Sequence, residues 1–175
     1  MIELFFARIM VRFKAARTDT KMAAAVFGEE CAGILRLIDG RPPEDLETRV
    51  LIKRIPGLED SSRFWSVLMT LDHLRIVNNE VASVITSLSA GNKPRRVTST
   101  ATVKPSENAD ASVIAAFARS CEDFENAVAA LPNLKTSMLH AHPWFGPMDA
   151  AAWHFMAGFH MSLHRKQIER ILGSA

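Results

Sequence analysis

Along most of the chain, apolar residues recur three and four positions apart, and no convincing run alternates with the period of two that marks a half-buried strand. The pattern predicts four long helices. The first covers about residues 20–38, where Phe27, Cys31, Ile34 and Ile38 form one stripe; Gly40 closes it and Pro42-Pro43 stops continuation. After a connection holding Val50-Leu51-Ile52 and the turn signal Pro56-Gly57, a second helix starts at Ser61 or Ser62 and ends near Gly91. Its apolar side carries Val67, Leu71, Leu74, Val81, Ile85 and Leu88. Residues 91–110 lack a helical stripe and are too many for a tight hairpin, so they read as a crossover. The third helix, about 109–131, shows Ile114, Phe117, Cys121, Phe124, Val128 and Leu131, the narrow seam of a bundle helix, and Pro132 ends it. Asp149 caps the fourth. The expected fold is all-α, a four-helix bundle with a long crossover between the second and third helices.

Composition narrows this only a little. With 175 residues, 48% of them apolar, the chain supports one sizeable core, so residues 1–175 read as a single domain. A net charge of +2 and a pI near 8.7 argue against a dedicated nucleic-acid binder. Glu3, Arg8, Arg12, Lys14 and Arg17 interrupt the apolar N-terminus too often for a signal peptide or a spanning helix. Residues 1–19 therefore read as an amphipathic arm, and a cytoplasmic protein with no membrane partner is expected. Cys31 and Cys121 sit in apolar stripes and read as buried free thiols, with a single bridge as the alternative.

The chemistry lies in the last helix, AAWHFMAGFHMSLHRKQIERIL. At about 100° per residue, His160 and His164 fall roughly 20° either side of the line through Trp153. Met156, Ala157, Leu163 and Ile168 share that arc, while Arg165, Lys166 and Glu169 lie opposite, in water. Both imidazoles thus point into the bundle. Burying two stacked cations is costly, and one shared metal ion resolves the cost; two core histidines bonded to carbonyls or water are the alternative. A further ligand must come from another helix. His73 is the one histidine on helices one to three and sits at the edge of an apolar stripe, so His73, His160 and His164 can converge. Three nitrogen ligands leave a coordination position open, as catalytic sites do.

The LDHL around His73, the HPWFGPMDAAAW before the last helix and the HxxxHRKQI within it resemble the DinB/YfiT-like superfamily of metalloenzymes, from about residue 20 onward. The resemblance implies a bundle of up-down-down-up topology, commonly dimeric. It also implies a divalent metal held by one histidine of the second helix and two of the last, which here are His73, His160 and His164. Two departures stand out: Asp149 occupies a capping position where relatives often have Thr, and Ala150-Ala151-Ala152 supply no acidic partner for a capping box. Relatives with known activity include transferases and isomerases that use a low-molecular-weight thiol.

Other residues carry weaker expectations. Gln167, one turn beyond His164, suits a hydrogen bond to a ligand imidazole or simple packing. His154 falls about 100° off the ligand line and reads as a rim residue. His140 and His142 lie in the loop before the last helix; His142 reads as part of a packed plug, with a general-base role as the sharper alternative. Asp72 points toward the solvated arc, and Glu80 is two turns, roughly 10 Å, beyond His73. Lys93, Arg95, Arg96 and Lys104 form a solvated loop or an electropositive rim. Phe155 and Phe159 face away from the ligands and call for cover by the arm or a second chain. The expected function is a divalent-metal enzyme, with Zn or Ni in an open tri-histidine site, moving a low-molecular-weight thiol or water onto a small-molecule substrate. The alternative is a non-catalytic metal-binding sensor or stress-response protein.

Overall fold

The computed structural model describes residues 17–94 and 100–173. Within them lie five helices: α1 (Thr20–Ile38), α2 (Pro43–Glu47), α3 (Val67–Ser89), α4 (Ser112–Ala129) and α5 (Ala150–Leu172). Short 3-10 turns at Asp60–Ser62 and Thr100–Val103 precede α3 and α4 respectively. The arm expected over residues 1–19 lies, up to residue 16, outside the described residues.

Local chemistry sets the boundaries. Asp19 accepts from the Met22 N–H at 2.7 Å and starts α1; Gly40, at φ +66°, ends it by taking the left-handed conformation. Pro43 does more than stop α1. As the first residue of α2 it needs no N–H partner there, a short helix the periodicity did not predict. The second long helix starts later than expected. Ser61 and Ser62 form a 3-10 turn, and Ser66 is the cap, accepting from the Met69 N–H at 3.1 Å. α4 is trimmed at both ends, whereas Asp149 caps α5 as expected, accepting from the Ala152 N–H at 2.8 Å.

The four long helices share one core. α5 packs against α1 on one side and α3 on the other, and α4 closes against α3 and α1. Gly158 lets α5 come close to α1, since a Cβ there would lie 3.1 Å from Val26 Cγ1. Phe27 of α1 stacks on Phe124 of α4 with centroids 4.1 Å apart, and both rings are fully buried. Cys31 and Cys121 are free and buried.

The expectation of an all-helical chain needs one correction. Two small antiparallel sheets are present: β1 (Val50–Leu51) with β2 (Phe64–Trp65), and β3 (His140–His142) with β4 (Gly146–Met148). Two or three residues per strand are too few for a period of two to show in sequence. Both sheets flank the histidines of α3 and α5.

Candidate metal centre

His73 stands in the second turn of α3, on the side facing α5. His160 and His164 stand one turn apart on α5, facing back. The three side chains offer nitrogen atoms within 4.8 Å of one another, a group that could hold a metal ion. His73 Nε2 lies 3.2 Å from His160 Nε2, and His164 Nε2 lies 3.1 Å from the same atom. His73 and His164 are buried, and His160 is half-buried.

The other ring nitrogens decide what these contacts mean. His73 Nδ1 is 2.6 Å from the Val103 carbonyl, which only accepts, so Nδ1 carries the proton and Nε2 a lone pair. On α5, Gln167 Nε2 donates to the Ser62 carbonyl at 2.7 Å, which turns its Oε1 toward His164 Nδ1, also at 2.7 Å. His164 Nδ1 therefore donates too, and its Nε2 is again an acceptor. Two lone pairs converge on His160 Nε2, which can offer one proton to only one of them. At least one contact is acceptor against acceptor. Burial pushes all three imidazoles below their ordinary range, and the neighbouring histidines push His160 and His164 further down, so an extra proton does not relieve the clash. A cation shared by three Nε2 atoms does. This donor set fits a divalent metal.

An aromatic wall backs the cluster. Trp65 of β2 lies 5.2 Å from His73 and stacks on His164 at 6.3 Å with an interplanar angle of 9°. Ser62 is expected from the sequence only as a helix cap and Trp65 carries no expectation there; their one signal for the site is a place just before the Ser66 cap.

The sequence profile of the DinB superfamily matches residues 15–168. The chain belongs to the DinB superfamily. No curated protein and no solved structure gives a significant match. For this DinB-superfamily chain, the convergence of His73, His160 and His164 anticipated from the helical wheel is present in the fold.

Several neighbours sit differently from expectation. Asp72 is buried, at 5% exposure. Its Oδ1 accepts from Arg75 at 2.8 and 3.1 Å and its Oδ2 from the Ser106 N–H at 2.9 Å. The crossover folds over that flank of α3, which a wheel of one helix cannot show. His154 is no rim residue. It is buried against Phe124, burial pushes it down to about 4, and its Nδ1 has no hydrogen-bond partner among the described residues.

His142 packs on Phe145 and Trp153, and its Nδ1 accepts from the Trp144 and Phe145 N–H groups at 3.1 and 3.3 Å. Burial pushes it down to about 4. With Nδ1 engaged by the hairpin, the plug reading fits and the general-base reading loses its free lone pair. His140 is buried in β3, and its carbonyl accepts from Trp153 Nε1 at 3.3 Å. Glu80 lines a surface hollow with Ser83, Ser87 and Lys93, away from the triad. Lys93 and Lys104 are exposed; Arg95 and Arg96 lie outside the described residues. Phe159 is 40% exposed as anticipated, while Phe155 is half-buried and packs on the core. No helix among the described residues is long and apolar enough to cross a membrane.

Proposed function

We propose that His73, His160 and His164 bind one divalent transition metal through their Nε2 atoms, with Zn or Ni the expected occupant, and that the site is catalytic. The observation that carries this reading is the pair of Nδ1–H donors fixed on Val103 and Gln167, which leaves acceptor lone pairs facing one another. A bound divalent metal supplies Lewis acidity and makes a thiol or water available as a nucleophile near neutral pH. The chain's own residues hold the His73 and His164 imidazoles in one tautomer and set Trp65 against them. The reaction is transfer of a low-molecular-weight thiol, or of water, to a small electrophile.

His142 supports a second reading. Its Nδ1 is engaged by backbone N–H groups and its pKa lies about 4, so no ready base stands at the hairpin at neutral pH. That favours a non-catalytic metal-binding sensor or stress-response role if turnover fails.

The assembly proposed around this site is a single domain over residues 1–175, an up-down-down-up four-helix bundle, homodimeric and cytoplasmic. Nucleic acid and membrane are not among its proposed partners. Half-exposed Phe159 supports the dimer. The test is metal analysis of the purified protein, then a screen of cellular thiols against small electrophiles after zinc or nickel loading. About one metal per chain with turnover supports the enzyme; metal without turnover supports the binder. Absence of bound metal after loading overturns both.

A further inference from the structure

Two consecutive residues of α3 tie the crossover to the helix, and one of them is His73. The Asp72 carboxylate takes the Ser106 N–H, and His73 Nδ1–H goes to the Val103 carbonyl three residues earlier on the same segment. Asp72 is a buried carboxylate whose charge Arg75 balances at 2.8 Å, so its acceptor atoms are fixed and its loss would leave Arg75 without that partner. Farther along, Arg49 donates to the Glu107 carbonyl at 3.1 Å. The segment from Val103 to Glu107 is thus a strap held at three points. The middle hold neighbours the carbonyl that sets the tautomer of a proposed metal ligand.

We infer that Asp72 is a positioning residue for the metal site: by holding Ser106 it keeps the Val103 carbonyl on His73 Nδ1, and so keeps His73 Nε2 presented to the metal. The inference rests on the metal-binding reading above. When the strap lifts, Nδ1–H loses its acceptor, the imidazole is free to rotate or change tautomer, and one of the three ligands is no longer prepared. Linkage makes the effect reciprocal: metal bound at Nε2 favours the strapped state by the same factor that the strap favours the metal. The strap therefore couples an exposed loop to the occupancy of a buried centre.

Two variants separate this route from the direct effect of a nearby negative charge. D72N weakens the hold and removes the charge. S106P removes the N–H at an exposed strap position, together with the hydroxyl that accepts from the Asn108 N–H at 3.2 Å, and leaves the Asp72–Arg75 pair in place. The probe is Zn(II) alone, its affinity read by competition with a chromophoric chelator. Deuterium uptake over residues 100–110 is followed with and without zinc, and circular dichroism checks the helices. In wild type, zinc slows uptake over the strap. In both variants uptake rises, helix content stays constant and zinc binds about tenfold weaker or more. Unchanged zinc affinity in both variants overturns the proposal, whatever the uptake. Weakening in D72N with wild-type affinity in S106P also overturns it, in favour of direct charge. If wild type takes up no zinc, the metal reading itself falls and this one with it, a result that no strap variant can mimic.

Discussion

The two helices that bring histidines together hold them in opposite ways. On α5, the group that fixes His164 is Gln167, three residues on along the same helix and completely buried. On α3, the group that fixes His73 is the carbonyl of Val103, 30 residues away at the end of a 3-10 turn on a partly exposed segment. Gln167 is anchored in turn by the Ser62 carbonyl, so the α5 arrangement joins a bond made within the helix to one contact with the segment before α3. The α3 arrangement exists only while the crossover is docked. The imidazoles are alike; the difference lies in whether the second hydrogen bond is local or long-range, and it assigns stability to one histidine and adjustability to another.

The largest effect comes from removing either side outright. His73→Ala and His160→Ala are expected to bring metal content close to zero, because two imidazoles hold a transition metal far more weakly than three. His142→Ala is expected to retain the metal. The helices should persist in all three variants, since the core is built from apolar stripes. Elemental analysis and circular dichroism of equally loaded samples check this. Wild-type metal content in His160→Ala would overturn the assignment.

Acidity gives the next effect, and it singles out a histidine of α5 outside the triad. His154 lies against Phe124 with its Nδ1 lacking a hydrogen-bond partner among the described residues, and burial lowers it from 6.5 to about 4. Above pH 6.5 it is neutral in both folded and unfolded chains and contributes no pH dependence. As pH falls below 6.5 the unfolded chain takes up a proton first, so stability drops; the loss is complete near pH 4, at about 3 kcal/mol. His154→Leu removes that share and also the orphaned nitrogen. Denaturant titrations at pH 7 and pH 4.5, with chelator present, should show a smaller pH-dependent loss for the variant than for wild type. An equal loss would mean His154 already has a partner for its proton.

The same contrast governs what the sequence disclosed. The triad was legible because His160 and His164 obey helical periodicity and His73 stood alone on the other helices. Gln167 was legible for the same reason, as a residue one turn from a ligand. Asp72 was misjudged because a wheel assigns a residue to solvent without knowing what folds over it; here the crossover supplies Ser106. His154 failed likewise: its angle places it off the ligand line, but α4 covers that flank with Phe124. The strands were invisible because pairings of two or three residues carry no period. Tertiary cover, and not local propensity, separates the readings that held from those that did not.

Gln167→Leu cuts the local hold at its centre. It leaves the His164 Nδ1–H and the Ser62 carbonyl without their partner, a cost of about 1–3 kcal/mol for each buried group left unsatisfied. Zinc affinity should fall about 10–100-fold, because His164 is free to present either nitrogen. Calorimetric melting and chelator competition read the two effects. A leucine variant of wild-type affinity would show that Trp65 stacking alone orients His164, and the contrast between the two sides would shrink.

The smallest effect asks whether the histidine-bearing helices themselves differ, or only the groups behind their histidines. Ser66 and Asp149 cap them in the same way, accepting the Met69 and Ala152 N–H groups at 3.1 and 2.8 Å. Replacing either by Ala removes one capping bond, a loss of about 1 kcal/mol. Ser66 is buried, at 3% exposure, whereas Asp149 is half-buried and water can reach its freed N–H, so Ser66→Ala should cost the more of the two. Neither change touches Val103 or Gln167, so zinc affinity should stay within about twofold of wild type in both. Thermal melts with parallel chelator competition measure the pair. If Ser66→Ala instead weakened zinc as much as Gln167→Leu, the start of α3 would itself be positioning His73, and the strap would lose its claim to be the adjustable hold.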